Sequence, residues 1–202
     1  MKIPVFGLIM IFVIWLGYEI KKHTKQDKKS TADFWERERK SGFVPRKSTA
    51  DVTYITIDES FLPVERGGDD SELNHLCNQI LKFSDKKIAD LSSMSNTELK
   101  ETYGTANFTV LAEADSNFTA LVPILSRLVE HLYDEGRLAE AETAACFCVQ
   151  NGIMTYSVVY TLGLIYDTIG ERDKLEKLIQ DAQDSGKCQE RTLTDLRSLL
   201  ST

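Results

Sequence analysis

Prolines, glycines and histidines are scarce in this sequence. Only 4 prolines and 11 glycines occur among 202 residues, which argues against a fibrous or loop-rich protein. The 3 histidines, His23, His75 and His131, are far apart in the chain, whereas a zinc site needs three or four converging ligands. The sequence also lacks G-x-S-x-G, H-E-x-x-H and glycine-rich phosphate-binding patterns. We therefore expect no metal, no cofactor and no catalysis.

Cysteines are also few. The 4 cysteines, Cys77, Cys146, Cys148 and Cys188, could form two disulfides, but a helical core of this size does not need them. Cys146 and Cys148 are two positions apart on a predicted helix and therefore point to different faces. We expect all four to be reduced and mostly buried.

Charge is unevenly distributed along the chain. Residues 21–50 contain ten Lys or Arg and four Asp or Glu, a net charge of +6. Residues 51–202 contain thirteen basic and twenty-six acidic residues, a net charge of −13. An acidic domain of this kind repels phosphate backbones, so nucleic acid is excluded as a partner.

The one long apolar run lies at the amino terminus. Residues 3–18 are sixteen residues without a charge, and as a helix they would span about 24 Å of a hydrocarbon core of about 30 Å. No small-residue cleavage site follows, so residues 1–20 are interpreted as a transmembrane anchor. A signal peptide and a buried core helix are the alternatives.

The charges around this run predict its orientation. Five lysines occur in residues 21–29, against one lysine before the run. Because lysines collect on the cytoplasmic side, we expect a single-pass protein of the cell membrane with its carboxy-terminal domain in the cytoplasm. An outward-facing envelope protein is the alternative.

Residues 21–71 are interpreted as a basic juxtamembrane segment and linker. Phe34 and Trp35 are adjacent aromatics in a basic stretch, which suits either an anionic lipid surface or packing on the domain. Residues 52–57 favour a short extended stretch, and the glycines and aspartates of residues 64–71 predict a loop.

Several short strings carry a family resemblance. They are Asp33-Phe34-Trp35-Glu36-Arg37-Glu38, Arg46-Lys47 and Tyr54-Ile55-Thr56-Ile57, with Tyr103-Gly104 and Ala106-Asn107 further along. The chain resembles, in these strings, an uncharacterised family of single-pass membrane proteins from Clostridia-type bacteria. The resemblance implies a bacterial membrane anchor and no particular activity.

From residue 72 onward the pattern of apolar residues is helical. A first apolar stripe has helical spacing and consists of Leu73, Leu76, Ile80 and Leu81. Ile88 and Leu91 continue this pattern in a second short element. We therefore expect an all-α domain over residues 72–202.

The next helices are predicted from capping signals. Ser95-Asn96-Thr97-Glu98 fits a capping box that opens a helix ending near Gly104. Two further helical segments are expected at about residues 106–114 and 118–134, with Pro123 in or near an early turn.

Two glycines, Gly136 and Gly170, are thirty-four positions apart. With Leu162-Gly163, Tyr166 and Ala182, these glycines resemble the tetratricopeptide repeat, whose period is also thirty-four. In that repeat Gly163 would let the two helices of a unit approach closely, Tyr166 would fill the space between them, and Gly170 would permit the turn.

The resemblance implies two repeat units, at about residues 122–155 and 156–189, and a capping helix at about 190–201. Three positions depart from the repeat pattern, namely Val129, Leu132 and Leu175. The predicted fold is therefore a transmembrane helix followed by a tetratricopeptide-like array of helical hairpins. A generic helical bundle is the alternative.

Projecting the repeat pattern onto this sequence predicts a partner-binding concave face. Its residues are Ser126, Glu130, Tyr133 and Asp134 from the first unit and Ser157, Tyr160, Leu164 and Asp167 from the second. This set contains no Lys, Arg or Asn to bind a terminal carboxylate. An acidic and aromatic face suits a basic or amphipathic protein or peptide, although these residues could also be exposed polar groups without a partner.

The sequence thus favours a membrane-tethered adaptor or scaffold whose partners are a protein or peptide and the lipid bilayer. The rival hypothesis is an enzyme whose site is not written as a local motif. That rival predicts a deep pocket with converging ionisable groups.

Overall fold

The computed structural model describes residues 10, 12–16, 19, 31–57, 59–63 and 72–200. All regular secondary structure among these residues is helical, which confirms the predicted all-α class. Residues 10, 12–16 and 19 are helical. From residue 31 on, the helices are α1 (31–41), α2 (Glu72–Leu81), α3 (Asn96–Tyr103), α4 (Thr105–Asp134), α5 (Leu138–Gln150), α6 (Tyr156–Ile169), α7 (Arg172–Ser185) and α8 (Glu190–Leu200).

Within the described part of the chain, no helix is both long and apolar enough to cross a membrane. Most of the predicted anchor, residues 1–20, lies outside the described residues. So do residues 21–30 of the basic segment and the predicted loop at 64–71.

The chain divides into two compact units. The smaller unit consists of Met1–Thr49 and Met94–Thr109, and the larger unit of Ala50–Ser93 and Val110–Thr202. This division differs from the one expected, in which residues 21–71 were a separate linker. Residues 50–63 belong to the larger unit because their apolar side chains are part of its core.

In the smaller unit, α3 begins with the predicted capping box. The Ser95 hydroxyl accepts a hydrogen bond from the Glu98 N–H at 3.3 Å, and Glu98 Oε2 accepts one from the Ser95 N–H at 2.8 Å. The helix ends at Gly104, as expected. Two orphan backbone donors are thereby satisfied at its first turn.

Charged side chains join α1 to α3. Arg37 donates from Nε to Glu101 Oε1 at 2.8 Å and from Nη2 to Oε2 at 2.5 Å, a bidentate pair. Glu38 accepts from Lys100 and, at 2.6 Å, from Thr97 Oγ1. These hydrogen bonds lower the pKa of both carboxyls, so each stays ionised at neutral pH.

In the larger unit, residues 52–57 belong to neither a helix nor a strand. The Ile55 N–H donates to the Ile88 carbonyl oxygen at 2.8 Å, and the side chains of Ile55 and Ile57 are buried. Ile88 and Leu91 are buried as well, but they do not form the second short element of a helical stripe. That expectation was wrong, because the apolar spacing of Ile88 and Leu91 reflects burial of an irregular segment.

Helix α4 is a single helix of 30 residues, where two segments were expected. Pro123 lies in its interior and not in an early turn. Proline has no N–H to donate to the carbonyl oxygen four residues earlier, at Thr119. Both Thr119 and Pro123 are exposed, so water can satisfy that carbonyl and the helix continues.

The same turn occurs twice, at Gly136 and at Gly170. These glycines have φ values of 73° and 76°, which favour glycine. After each glycine the next backbone N–H reaches back to a helix carbonyl at 2.9 Å, from Arg137 to Leu132 and from Glu171 to Tyr166. The hairpins α4–α5 and α6–α7 therefore turn in the same way.

The buried positions recur at the interval that separates these two turns. In α5 they are Ala141, Ala144, Ala145 and Cys148, and in α7 they are Leu175, Leu178, Ile179 and Ala182. The turns that follow these helices also match, since Gly152 and Gly186 both have positive φ. Helix α6 packs against α5, α7 and α8, and α7 packs against α8.

Gly163 permits a close helix approach, but its principal neighbour is not the one expected. A Cβ atom at this position would lie 2.5 Å from Leu196 Cδ2 of α8 and 3.5 Å from Leu175 Cδ1 of α7. The second distance is an ordinary van der Waals contact, whereas the first is an overlap. Gly163 therefore serves the packing of α6 against α8 rather than against its hairpin partner α7.

Candidate functional site

The predicted binding face lies on two helices, α4 and α6. Three of its residues are exposed, namely Glu130, Asp134 and Asp167. Five are half-buried, namely Ser126, Tyr133, Ser157, Tyr160 and Leu164. Because the charged members are exposed and the aromatic members are partly packed on the core, the face combines solvated carboxylates with a firmly held apolar part.

Ser126 lies where α4 meets α6. Its hydroxyl is 2.9 Å from the hydroxyl of Thr155, the N-cap residue of α6. Thr155 Oγ1 also accepts a hydrogen bond from the Val158 N–H at 3.4 Å. The main role of the Ser126 hydroxyl is therefore structural, because it links α4 to the start of α6.

The predicted face residue Tyr160 belongs to a stacked tyrosine pair on α6. The rings of Tyr156 and Tyr160 are 5.3 Å apart with an interplanar angle of 15°. The Tyr156 hydroxyl donates to Asp195 Oδ2 of α8 at 3.3 Å. Partial desolvation and the Asp195 carboxylate raise the pKa of Tyr156, so the hydroxyl stays protonated and remains a donor.

Sequence reasoning missed Tyr156 and Asp195. Tyr156 is four residues before Tyr160 and therefore on the same side of the helix, a signal that was available in the sequence. Asp195 is brought to Tyr156 by the packing of α8 on α6, for which the sequence has no local signal.

Two basic residues lie close to residues of the predicted face, although neither belongs to it. Arg127 is exposed three residues before Glu130, and its Nη2 lies 2.6 Å from Glu72 Oε1 of α2. Arg191 of α8 lies 3.9 Å from Asp195. Both cations already face a carboxylate, so the exposed acids Glu130, Asp134 and Asp167 determine what the face attracts.

Two cavities in the larger unit lie away from the predicted residues. One of about 330 Å³ lies between α5 and α7, where Cys146, Tyr166 and Lys174 are among its lining residues. The other, of about 450 Å³, is beside the start of α6. None of the eight predicted face residues lines either cavity.

An ion pair borders the cavity beside the start of α6. Lys187 Nζ lies 2.6 Å from Asp90 Oδ2 and 3.2 Å from the Gly152 carbonyl oxygen. Burial opposes ionisation of Asp90, but hydrogen bonds from Lys187 and Ser92 outweigh it and lower the pKa of Asp90. The pair joins the segment before α3 to the loop between α7 and α8, which are distant in sequence.

Replacing Lys187 by glutamine is expected to lower the free energy of unfolding of the larger unit by about 1 kcal/mol at neutral pH, because the pair is only partly shielded from water. The pKa of Asp90 is lower in the folded state, so the pair stabilises above the ordinary value of 3.8 and its contribution is lost as the pH falls through the folded pKa. Urea unfolding followed by circular dichroism, at neutral pH and in acid below the folded pKa, measures the change.

The matched control is Lys177→Gln, since Lys177 is an exposed lysine of α7. We expect this control to change the free energy of unfolding by less than about 0.5 kcal/mol at either pH. Equal losses in the two variants, or a Lys187→Gln loss that is as large in acid as at neutral pH, would contradict a stabilising role for the ion pair.

The four cysteines are reduced thiols outside any disulfide, with Cys77 and Cys148 buried and Cys146 and Cys188 half-buried. Burial raises the pKa of Cys148 to about 12, so this thiol is unreactive at neutral pH. In the described ranges, no group of three or more His, Cys, Asp or Glu side chains is arranged to hold a metal ion.

The histidines in the helices contact neighbours on their own helix. His75 Nε2 lies 2.9 Å from Gln79 Nε2, and His131 Nε2 lies 3.2 Å from Glu135 Oε1. The predicted face residues of α4 and α6 include exposed carboxylates and half-buried tyrosines, whose oxygens can accept hydrogen bonds from basic side chains. No family model matches the chain, and no curated protein or solved structure matches it.

Proposed function

We propose that this protein is a membrane-tethered adaptor, held in the bilayer by residues 1–20, whose larger unit binds a basic or amphipathic segment of a partner protein. The partner is bound at the face of α4 and α6 on the cytoplasmic side, and the protein carries out no catalysis. The observation that carries the proposal is the recurrence of both turns and of the buried positions at the interval between Gly136 and Gly170.

That recurrence is what a tetratricopeptide-like array requires. A helical hairpin cannot bury its apolar side alone, so successive hairpins stack and cover one another. The hairpins α4–α5 and α6–α7 have equivalent buried positions, and α8 packs on both helices of the second hairpin. In such an array the first helices of the units, here α4 and α6, line a common face.

The chemistry of this face favours a basic segment. The exposed carboxylates of Glu130, Asp134 and Asp167 attract Lys and Arg, and residues 51–202 have a net charge of −13. The stacked pair of Tyr156 and Tyr160 offers rigid aromatic area that costs little conformational entropy when it is covered. A segment with basic and apolar residues in alternation would satisfy both parts.

The tether is supported by the sequence of the amino-terminal segment. Residues 3–18 contain no charge, and residues 21–29 contain five lysines. This arrangement favours a single span with the larger unit in the cytoplasm. The tether raises the concentration of the bound partner near the bilayer, as a linker does in bivalent binding.

The experiment is a peptide selection on the full chain in detergent, followed by affinity measurements. We expect the selected peptides to be net basic and to contain aromatic or large aliphatic residues. Tyr160→Ala should weaken their binding by about tenfold or more, since a buried aromatic anchor contributes on the order of 2 kcal/mol. Asp167→Asn should weaken binding mainly at low salt, because exposed charges are screened.

The matched control is Asp173→Asn, at an exposed residue of the first turn of α7. It removes the same charge from the larger unit but not from the face. Circular dichroism would establish that each variant is folded. Selection of acidic peptides, or equal effects of Asp167→Asn and Asp173→Asn, would contradict binding at the α4–α6 face.

A further inference from the structure

Three exposed aromatic residues in and after α1 form the aromatic edge of the smaller unit: Phe34, Trp35 and Phe43. We propose that this aromatic edge docks on the surface of an anionic lipid bilayer. The exposed fractions of the three residues are 53%, 63% and 84%. The proposal rests on the tether in the proposed function and assigns a role to the segment that follows it.

Most of the exposed large hydrophobic side chains among the described residues belong to the smaller unit. Among the described residues of the larger unit, only Val110, Tyr156 and Ile169 are large hydrophobic residues with exposed side chains. Single exposed apolar residues are common on soluble proteins. Adjacent aromatics are different, and Phe34 and Trp35 lie edge to face with centroids 5.5 Å apart, so they form one apolar surface that the unit itself does not cover.

The helix that carries this edge has two different sides. Arg37 and Glu38 contact residues of α3, and Ser41 is buried. Trp35 and Arg39 are four residues apart and share the other side. Arg39 is exposed, so a cation accompanies the exposed indole.

The charge of the segment around the aromatic edge favours an anionic partner. Three carboxylates of the smaller unit are paired with cations, Glu36 with Lys40 at 2.7 Å, Glu38 with Lys100, and Glu101 with Arg37, whereas Asp33, beside Phe34, is exposed. Residues 21–50 as a whole have a net charge of +6. An anionic leaflet attracts such a segment and takes Trp at the level of its headgroups.

Chain length favours lipid over a protein partner. Residue 31 follows the predicted anchor by eleven residues, and even a fully extended chain of that length spans at most about 40 Å. The bilayer surface is therefore always within reach of α1, at a high effective concentration. A soluble acidic protein would have to compete with it for the same cationic and aromatic side chains.

The test uses the full chain with Trp15→Phe, which leaves Trp35 as the only tryptophan of the 2 in the sequence. The protein is reconstituted in vesicles of phosphatidylcholine with or without phosphatidylserine. We expect phosphatidylserine to shift the Trp35 emission to the blue, to increase quenching by brominated lipid and to decrease quenching by aqueous iodide. Arg39→Gln should reduce the docked-to-undocked ratio about fivefold, the effect of one basic residue near an anionic surface.

Trp35→Phe, which leaves only Trp15, tests the tether separately. If brominated lipid quenches Trp15 but Trp35 stays open to iodide in both kinds of vesicle, the docking inference fails and the tether stands. If Trp35 is shielded from iodide and from brominated lipid alike, protein covers the aromatic edge, and the inference again fails. If Trp15 itself is not quenched by brominated lipid, the tether fails, and docking fails with it.

Discussion

Replacing Phe61 by alanine is expected to lower the free energy of unfolding of the larger unit by about 3–5 kcal/mol, the usual range for a fully buried phenylalanine. Phe61 is only 3% exposed, and its ring stacks on that of Phe147 in α5 with centroids 3.8 Å apart. Alanine would remove the ring and leave a cavity beside α5. Urea unfolding of the full chain in detergent, followed by circular dichroism, measures the loss.

The matched control is Phe43→Ala, the same substitution at a residue that is 84% exposed. It should change the free energy of unfolding by less than about 0.5 kcal/mol. The contrast tests whether residues 50–63 belong to the core of the larger unit. A Phe61→Ala loss no larger than that of the control would mean that this segment is a linker after all.

Phe61 also shows why the division of the chain could not be read from its sequence. Residues 50–63 are short, irregular and next to a glycine-rich stretch, all of which are typical of a linker. Their burial depends on contacts with α5, which begins more than seventy positions later. A contact of this kind produces no periodic pattern in the sequence, because the segment contributes apolar side chains to the core without forming a helix.

The helices themselves were predictable where local chemistry determines them. The Ser95 and Glu98 capping box and the glycine turns at Gly136 and Gly170 are local signals, and each occurs at the expected residues. The boundaries of α6 and α7 follow from such turns. Local signals failed for α4. Pro123 suggested the early turn of a separate helix, but it lies in the interior of α4 at an exposed position, where a proline is tolerated.

The surroundings of the proposed binding face were predictable only in part, for a related reason. Periodicity places Glu130, Tyr160 and Asp167 on the first helices of the repeat, and the structure has them exposed or half-buried there. The hydrogen bond of Ser126 to Thr155 and that of Tyr156 to Asp195 join different helices. Such pairs depend on how helices stack on one another, so the sequence pattern of a single helix does not predict them.

Gly104→Ala is expected to destabilise the smaller unit by about 3 kcal/mol or more, because two costs add at this position. The backbone of Gly104 has φ 84° and ψ 151°, a region that is essentially restricted to glycine and costs other residues on the order of 1–3 kcal/mol. In addition, a Cβ atom would lie 2.2 Å from the Pro45 carbonyl oxygen and 2.8 Å from Arg46 Cα. Backbone atoms cannot rotate away as a flexible side chain can, so the chain at Pro45 must move.

Hydrogen exchange at two amides would measure this displacement. The Lys47 N–H donates to the Tyr103 carbonyl oxygen at 3.0 Å, and the Thr105 N–H donates to that of Val44 at 3.2 Å. Gly136→Ala is the matched control, because Gly136 also has positive φ but no atom within 4 Å of a Cβ. It should cost its own turn only about 1–2 kcal/mol. The excess at Gly104 combines its more restricted backbone region with the packing of residues 44–47 on the end of α3, and equal costs would show that this packing contributes nothing.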